Sequence, residues 1–191
     1  MMDTISMVAS LLAEKGQRPY GLHDVSQLQH ALQTALLAEQ AGSGAALIAA
    51  ALLHDIGHMV HELGENPAES GIDDRHEMFG HVFLEHRFIP DVTDPVRLHV
   101  AAKRYLCAVD PGYAACLSPD SVLSLKLQGG PMTPDEVMAF RAEPHAEAAI
   151  QLRRFDDMAK VKDLPTPPVE HFLPALARCL RESDPAPAGR P

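Results

Sequence analysis

The stretch AALIAAALLHDIGHMV (45–60) decides how the rest of the chain is read. It is apolar on nearly every face of a helix, so it belongs at the centre of a helical packing. Into that run it introduces His54, Asp55 and His58. A histidine and an aspartate side by side in a buried segment are costly to desolvate without partners. A metal ion is a partner that suits both. His54 offers a nitrogen ligand, and Asp55 has two oxygens and so can bridge two metals. His58, four residues after His54 and on the same helix face, is placed to touch a substrate anion.

Working outward, most of the chain carries helical spacing. Residues 3–15 put Ile5, Val8, Leu11 and Leu12 on one stripe, and residues 24–41 open on Asp24 as N-cap and close near Gly42. The central helix is expected over 44–61, followed by the polar turn segment GENPAESGIDD (64–74). Helical spacing returns over 73–88. Thr93 or Asp94 caps a helix from Pro95 to about Ala102. Shorter helices follow at 118–127 and 134–142, split by Gly129-Gly130-Pro131. A long one runs from Pro144 to about Met158, and a last one near 168–182 follows KDLPTPPVE (162–170). No segment alternates with period two, and no repeat is present. The expected class is all-α, one helical bundle over residues 1–182, with SDPAPAGRP (183–191) as a disordered tail.

The composition fits one globular domain: 191 residues, 46% hydrophobic. Sixteen basic against 26 acidic residues leave a formal charge of −10, which argues against nucleic acid or an anionic membrane as partner. No run approaches the ~18 apolar residues of a membrane span. The N-terminus has no basic lead into an apolar run, so a cytoplasmic location is expected. Three cysteines, Cys107, Cys116 and Cys179, frame neither a disulfide scaffold nor a zinc site.

The eleven histidines are the unusual count. Beyond the central helix, His30, His76 and His99 fall on three other expected helices, and Asp156 lies near the end of the long one. Each alone reads more readily as a satisfied or exposed side chain, and Asp156-Asp157 as a solvated helix end. The order His, His-Asp, His, His, Asp over five helices is much harder to reach by accident.

That order resembles the HD-domain superfamily, named for its His-Asp doublet. Tyr20 with QLQH (27–30), AALLHDIGH (50–58), HVAAKRYL (99–106), LQGGPM (127–132) and LRRFDDMAK (152–160) resemble one branch of it. That branch comprises the mixed-valent di-iron oxygenases that cleave the carbon–phosphorus bond of 1-hydroxyphosphonates. The resemblance covers about residues 3–180. It implies one iron held by His30, His54, Asp55 and Asp156, and a second by Asp55, His76 and His99, as an Fe(II)/Fe(III) pair. It implies O2 as co-substrate. Tyr20 matches a lid residue whose phenolate occupies the second iron until substrate displaces it. Lys103 and His58, then Ser121, Gln128 and Arg153, match positions near the substrate; Arg153 serves equally well as partner of an acid. The implied reaction removes hydrogen from C1, inserts oxygen there, and leaves a carboxylate and inorganic phosphate.

One position departs from the branch. Its amine-recognising members carry a carboxylate three residues after the lid tyrosine, where this chain has His23. Asp24 is adjacent but is expected to point elsewhere. A quaternary ammonium needs no hydrogen-bond acceptor and is held by aromatic faces and diffuse negative charge. The branch has a member that acts on such a compound, (R)-1-hydroxy-2-(trimethylammonio)ethylphosphonate, giving glycine betaine; the resemblance implies this as the substrate, with an upstream hydroxylase supplying the 1-hydroxy compound. The alternatives are 2-amino-1-hydroxyethylphosphonate giving glycine, an HD-type metal-dependent phosphohydrolase, a polyol-cleaving oxygenase, and a non-enzymatic signalling module. His23, His61, His81, His86, His145 and His171 otherwise read as structural or surface residues.

Overall fold

The computed structural model describes residues 3–21, 23–61, 63 and 67–182; the tail expected at 183–191 lies outside them. Helices dominate: α1 (Thr4–Lys15), α2 (Gln27–Gln40), α3 (Ala45–Leu53), α4 (Gly57–Val60), α5 (His76–Leu84), α6 (Pro90–Val109), α7 (Pro111–Ala115), α8 (Pro119–Leu127), α9 (Pro134–Arg141), α10 (Ala146–Met158) and α11 (Val169–Arg178). The all-α, single-domain expectation holds.

Several local expectations do not. A two-stranded antiparallel hairpin, β1 (Pro19–Tyr20) and β2 (His23–Ser26), pairs Tyr20 with His23. It is too short for a period of two to register. Ser26, and not Asp24, caps α2. Gln29 N donates to Ser26 Oγ at 3.1 Å while Ser26 N donates to Gln29 Oε1 at 2.8 Å, and such a reciprocal pair outcompetes a single cap. Asp24 lies in β2 and pairs with Lys162 at 3.1 Å. α6 begins at Pro90 and takes Pro95 into its second turn, where the ring forfeits one backbone bond. α7, started by Pro111 and capped by the Asp110 side chain, had no expectation.

The central segment is not one helix. Ile56 N, His58 N and Met59 N donate to the carbonyls of Leu53, Asp55 and Ile56, three residues back, at 3.1, 3.0 and 2.9 Å. That tighter winding separates α3 from α4 and redirects the chain at His54–Ile56. α3 itself packs against α2, α6, α10 and α11. Its alanines Ala49, Ala50 and Ala51 are buried and let those helices approach closely. Leu52, Leu53, Ile56, Leu84, Phe88, Val96, Leu152 and Phe172 build the main core. A second cluster joins α6, α9 and α10 through Leu98, Tyr105, Phe140 and Ala149.

Candidate metal centre

Five elements deliver donors to one buried place: His30 from α2, His54-Asp55 from the tight turn after α3, His76 from the first position of α5, His99 from α6 and Asp156 from α10. Four of these six side chains are at most 1% exposed, Asp55 is at 5% and His76 at 9%. His30 Nε2 lies 3.1 Å from His54 Nε2, 3.4 Å from Asp156 Oδ1 and 3.5 Å from Asp55 Oδ2. The other oxygen of Asp55, Oδ1, lies 3.4 Å from His76 Nε2 and 3.5 Å from His99 Nε2, which are 3.1 Å apart. Asp55 thus turns one oxygen to each of two donor groups.

Each imidazole is fixed from behind. Nδ1 of His30, His54 and His99 donates to the carbonyls of Ala159, Ala51 and Val96 at 2.8, 2.9 and 2.7 Å, and His76 Nδ1 to Asp74 Oδ1 at 2.9 Å. A carbonyl only accepts, so each neutral ring carries its hydrogen on Nδ1 and points the Nε2 lone pair forward. Two lone pairs 3.1 Å apart repel unless a cation lies between them. Asp55 Oδ2 is buried with no hydrogen-bond partner among the described residues. Opposed lone pairs and an orphaned carboxylate oxygen both fit a pair of metal ions, with four imidazole nitrogens and two carboxylates as the donor set.

The charges agree with this reading. Burial works against ionised Asp55, but the surrounding imidazoles outweigh it and hold the carboxyl well below its usual range. Burial likewise opposes a charged His30, and its contacts to Asp156 and Asp55 still lift it to about 9. Burial together with neighbouring histidine charge takes His99 down to about 4 despite Asp55.

Asp74 went unnoticed in the sequence. Besides holding His76, its Oδ2 lies 3.0 Å from His58 Nδ1 and 3.5 Å from His61 Nε2, and the His58 ring stacks on His76 at 4.0 Å between centroids. The available signal was an aspartate two residues before a ligand histidine. His54 and His58, expected to share a helix face, part company at the tight turn: His54 joins the His30 group, His58 the His76 side.

A cavity of about 150 Å³ opens onto both groups. Tyr20, His23, His58, Lys103, Ser121, Gln128 and Arg153 all line it, as do Lys160, Asp120 and Ser124, which the sequence reading did not single out. Tyr20 stacks on His30 at 3.8 Å and its hydroxyl donates to Asp156 Oδ1 at 3.5 Å. Burial and then the Asp156 charge push that phenol well above its usual value. Lys103 is buried and donates to Ser124 Oγ at 2.8 Å; burial, then Arg153, brings it down to about 7. Arg153 grips Asp156 Oδ2 at 2.7 Å, also binds Asp157, and donates to Ser121 Oγ at 3.4 Å. Its grip leaves Asp156 Oδ1 for the His30 group. Of the remaining histidines, His61 belongs to the Asp74 cluster, His81 faces the Thr93 carbonyl, His145 pairs with Asp94 and His171 with Glu39, and His86 is exposed.

The HD-domain family model matches residues 28–142, which include five of the six donor positions, all but Asp156. The chain belongs to the HD-domain family. HD-domain relatives align along nearly its full length. A [1-hydroxy-2-(trimethylamino)ethyl]phosphonate dioxygenase (glycine-betaine-forming) of Leisingera caerulea is 41% identical over 178 residues, 93% of this chain and 91% of the relative. A hydroxymethylphosphonate dioxygenase of Gimesia maris is 41% identical over 182 residues, 95% and 90%. An uncharacterized protein of Acanthamoeba polyphaga mimivirus is 30% identical over 186 residues, 96% and 84%. This HD-domain chain is a metal-dependent enzyme, not a signalling module stripped of its donors. Among its described residues, no helix is long and apolar enough to cross a membrane.

Proposed function

We propose that residues 1–182 form a di-iron oxygenase domain that converts (R)-1-hydroxy-2-(trimethylammonio)ethylphosphonate and O2 to glycine betaine and phosphate. The observation that carries the reading is Asp55, whose two oxygens each serve a separate imidazole group. The dioxygenase activities of the two 41% identical relatives support the chemical class. His23, in place of a carboxylate, supports the quaternary ammonium. One O2 is consumed per phosphate: the C1–H and C1–P bonds break, C1 gains oxygen and becomes the carboxylate, and both oxygen atoms end in the products.

The bound irons would supply O2 activation and two cations for the substrate's hydroxyl and phosphonate oxygens. His30, His54, Asp55 and Asp156 would hold one, and Asp55, His76 and His99 the other. The chain's own residues do the rest. Lys103 brings a cation from the same face of α6 as His99, and meets the phosphonate as a charge-assisted donor. His58 donates Nδ1–H to Asp74, which keeps its Nε2 3.9 Å from Asp55 Oδ1 at the cavity wall. Ser121 and Gln128 add neutral polar groups, and Arg153 holds both Asp156 and Ser121 in place. Tyr20, packed over His30, closes one wall and limits water. Because the substrate already carries a C1 hydroxyl, the enzyme stands downstream of a hydroxylase, in the cytoplasm.

The relative from Gimesia maris favours a second reading, in which the same chemistry acts on hydroxymethylphosphonate. Aerobic incubation of the iron-loaded protein with each hydroxyphosphonate, followed by phosphorus NMR, tests the proposal. Phosphate is expected only with O2 present. Phosphate released from a phosphomonoester without O2 would instead identify a hydrolase.

A further inference from the structure

Behind three of the four donor imidazoles stands a peptide carbonyl; behind the fourth stands a carboxylate. His30, His54 and His99 each give Nδ1–H to a backbone oxygen, whereas His76 gives its own to Asp74 Oδ1 at 2.9 Å. The difference falls on the group with fewer donors. His30, His54, Asp156 and one oxygen of Asp55 face the first metal position. His76, His99 and the other oxygen of Asp55 face the second. The second group therefore has one carboxylate oxygen, and the residue that supplies it is shared.

The backbone builds the Asp74 contact. Arg75, between Asp74 and His76, lies in the left-handed region at φ 49° and ψ 37°. That conformation costs energy in a residue with a Cβ and persists where its surroundings fix it. With the chain turned this way, Asp74 Oδ1 accepts from the His76 backbone N at 3.3 Å as well as from the ring. On the other side, Gly57 packs against the His76 carbonyl oxygen, which would lie 1.8 Å from a Cβ built there. His76 is thus held at its backbone from two directions and at its ring from behind.

The other oxygen of Asp74, Oδ2, lies 3.0 Å from His58 Nδ1, with His61 Nε2 at 3.5 Å. The His58 and His76 rings lie stacked, 4.0 Å apart and 19° from parallel. Asp74 grips the rear edges of this pair, while both Nε2 atoms approach Asp55 Oδ1, at 3.4 Å from His76 and 3.9 Å from His58. Glu77 is a second acid near His76, but its Oε2 stands 4.0 Å from Nδ1, beyond hydrogen-bonding reach.

We propose that Asp74 is a positioning residue that makes the two metal positions unequal, its charge at the back of His76 giving the second position a hold on its ion that three donors alone would not supply. A carboxylate that accepts from Nδ1–H fixes the tautomer and makes Nε2 a stronger donor. The effect reaches the second position alone, because the other rings rest on neutral oxygens. This assignment rests on the two-metal part of the reading above and not on the identity of the substrate.

The test titrates the metal-free, 15N-labelled full chain with Zn(II), which takes nitrogen and oxygen donors and has no redox chemistry. Assigned histidine-ring NMR signals report each position separately: His30 and His54 for the first, His76 and His99 for the second. In zinc-loaded wild type the His76 Nδ1–H proton is expected farthest downfield of the four, as the one bound to a charge. Asp74→Asn keeps an oxygen behind His76 but removes the charge. It is expected to weaken the second position about 10- to 100-fold and to leave the first unchanged. Glu77→Gln, which removes a nearby charge that makes no bond to His76, is expected to leave both positions as in wild type. No change in Asp74→Asn, equal weakening at both positions, or the same loss in Glu77→Gln overturns the proposal. Should Asp74→Asn fail to fold, the wild-type spectrum decides, since a His76 signal among those of the three carbonyl-bound rings overturns it as well. A wild type that fills a single position overturns the two-metal reading itself.

Discussion

Asp55 performs two tasks with one side chain, and its neighbours make the tasks inseparable. Oδ2 lies among His30 and His54, and Oδ1 among His76 and His99. Asp55→Ala is therefore expected to lose both metals together, read by metal analysis of the purified protein; retention of one full equivalent would assign the two groups independent sites. Lys103 is the second residue whose chemistry follows from burial. An amine near pKa 7 in the folded protein and 10.5 when exposed binds fewer protons folded than unfolded between those values. Stability from this group therefore rises as pH climbs from about 7 toward 10.5. Phosphonate binding needs the charged form, so kcat/KM is expected to fall as pH rises through about 7. Lys103→Met should remove that pH dependence of thermal stability, raise Tm at pH 7, and lower kcat/KM about 10- to 100-fold, the weight of a lost buried charge-assisted contact.

Elements place these residues through their breaks as much as through their lengths. The tight winding at His54–Ile56 sends His54 and His58 to different sides of the centre. Immediately after it, Gly57 lies against the start of α5: a Cβ there would fall 1.8 Å from the His76 carbonyl oxygen, and Gly80 packs against the same spot. The glycine brings His76 within reach of Asp55. Gly57→Ala is expected to cost about 1–3 kcal/mol by overpacking and to shift α5 outward. Metal content should drop by the His76–His99 metal while the His30 group keeps its own. A variant with both metals and unchanged Tm would show that α5 yields without moving His76.

At the scale of the molecule, the centre is a staple. Donors from α2, the α3–α4 turn, α5, α6 and α10 face one another, and a bound metal ion would tie these elements together. Metal held at about 100 times its dissociation constant adds ~2.7 kcal/mol, roughly 5–10 °C in a domain of this size. Chelation is expected to lower Tm by that amount and to restore it on adding metal back; an unchanged Tm would mean that the donors are held apart by the fold alone.

Much of this was legible in the chain. Helical stripes and an apolar helix interrupted by His-Asp are local patterns, and the cost of burying a lone histidine or carboxylate applies in any fold. So the helical class, and the six side chains that the fold gathers into two groups able to hold a metal, could be named from residues and spacing together with family resemblance. What lay beyond reach depended on segments distant in sequence. Asp74 acquires its role only where α5 backs onto His58, and Arg153 spends its charge on Asp156 and Asp157. Asp120 at the start of α8 lies 3.7 Å from His23 of the hairpin, a contact between segments far apart in the chain. The chain alone determined which atoms can bind a metal, since that is a property of the side chains. The tertiary structure decided which oxygen of Asp55 serves which group, since that follows from distances of a few ångströms between elements that no local pattern encodes.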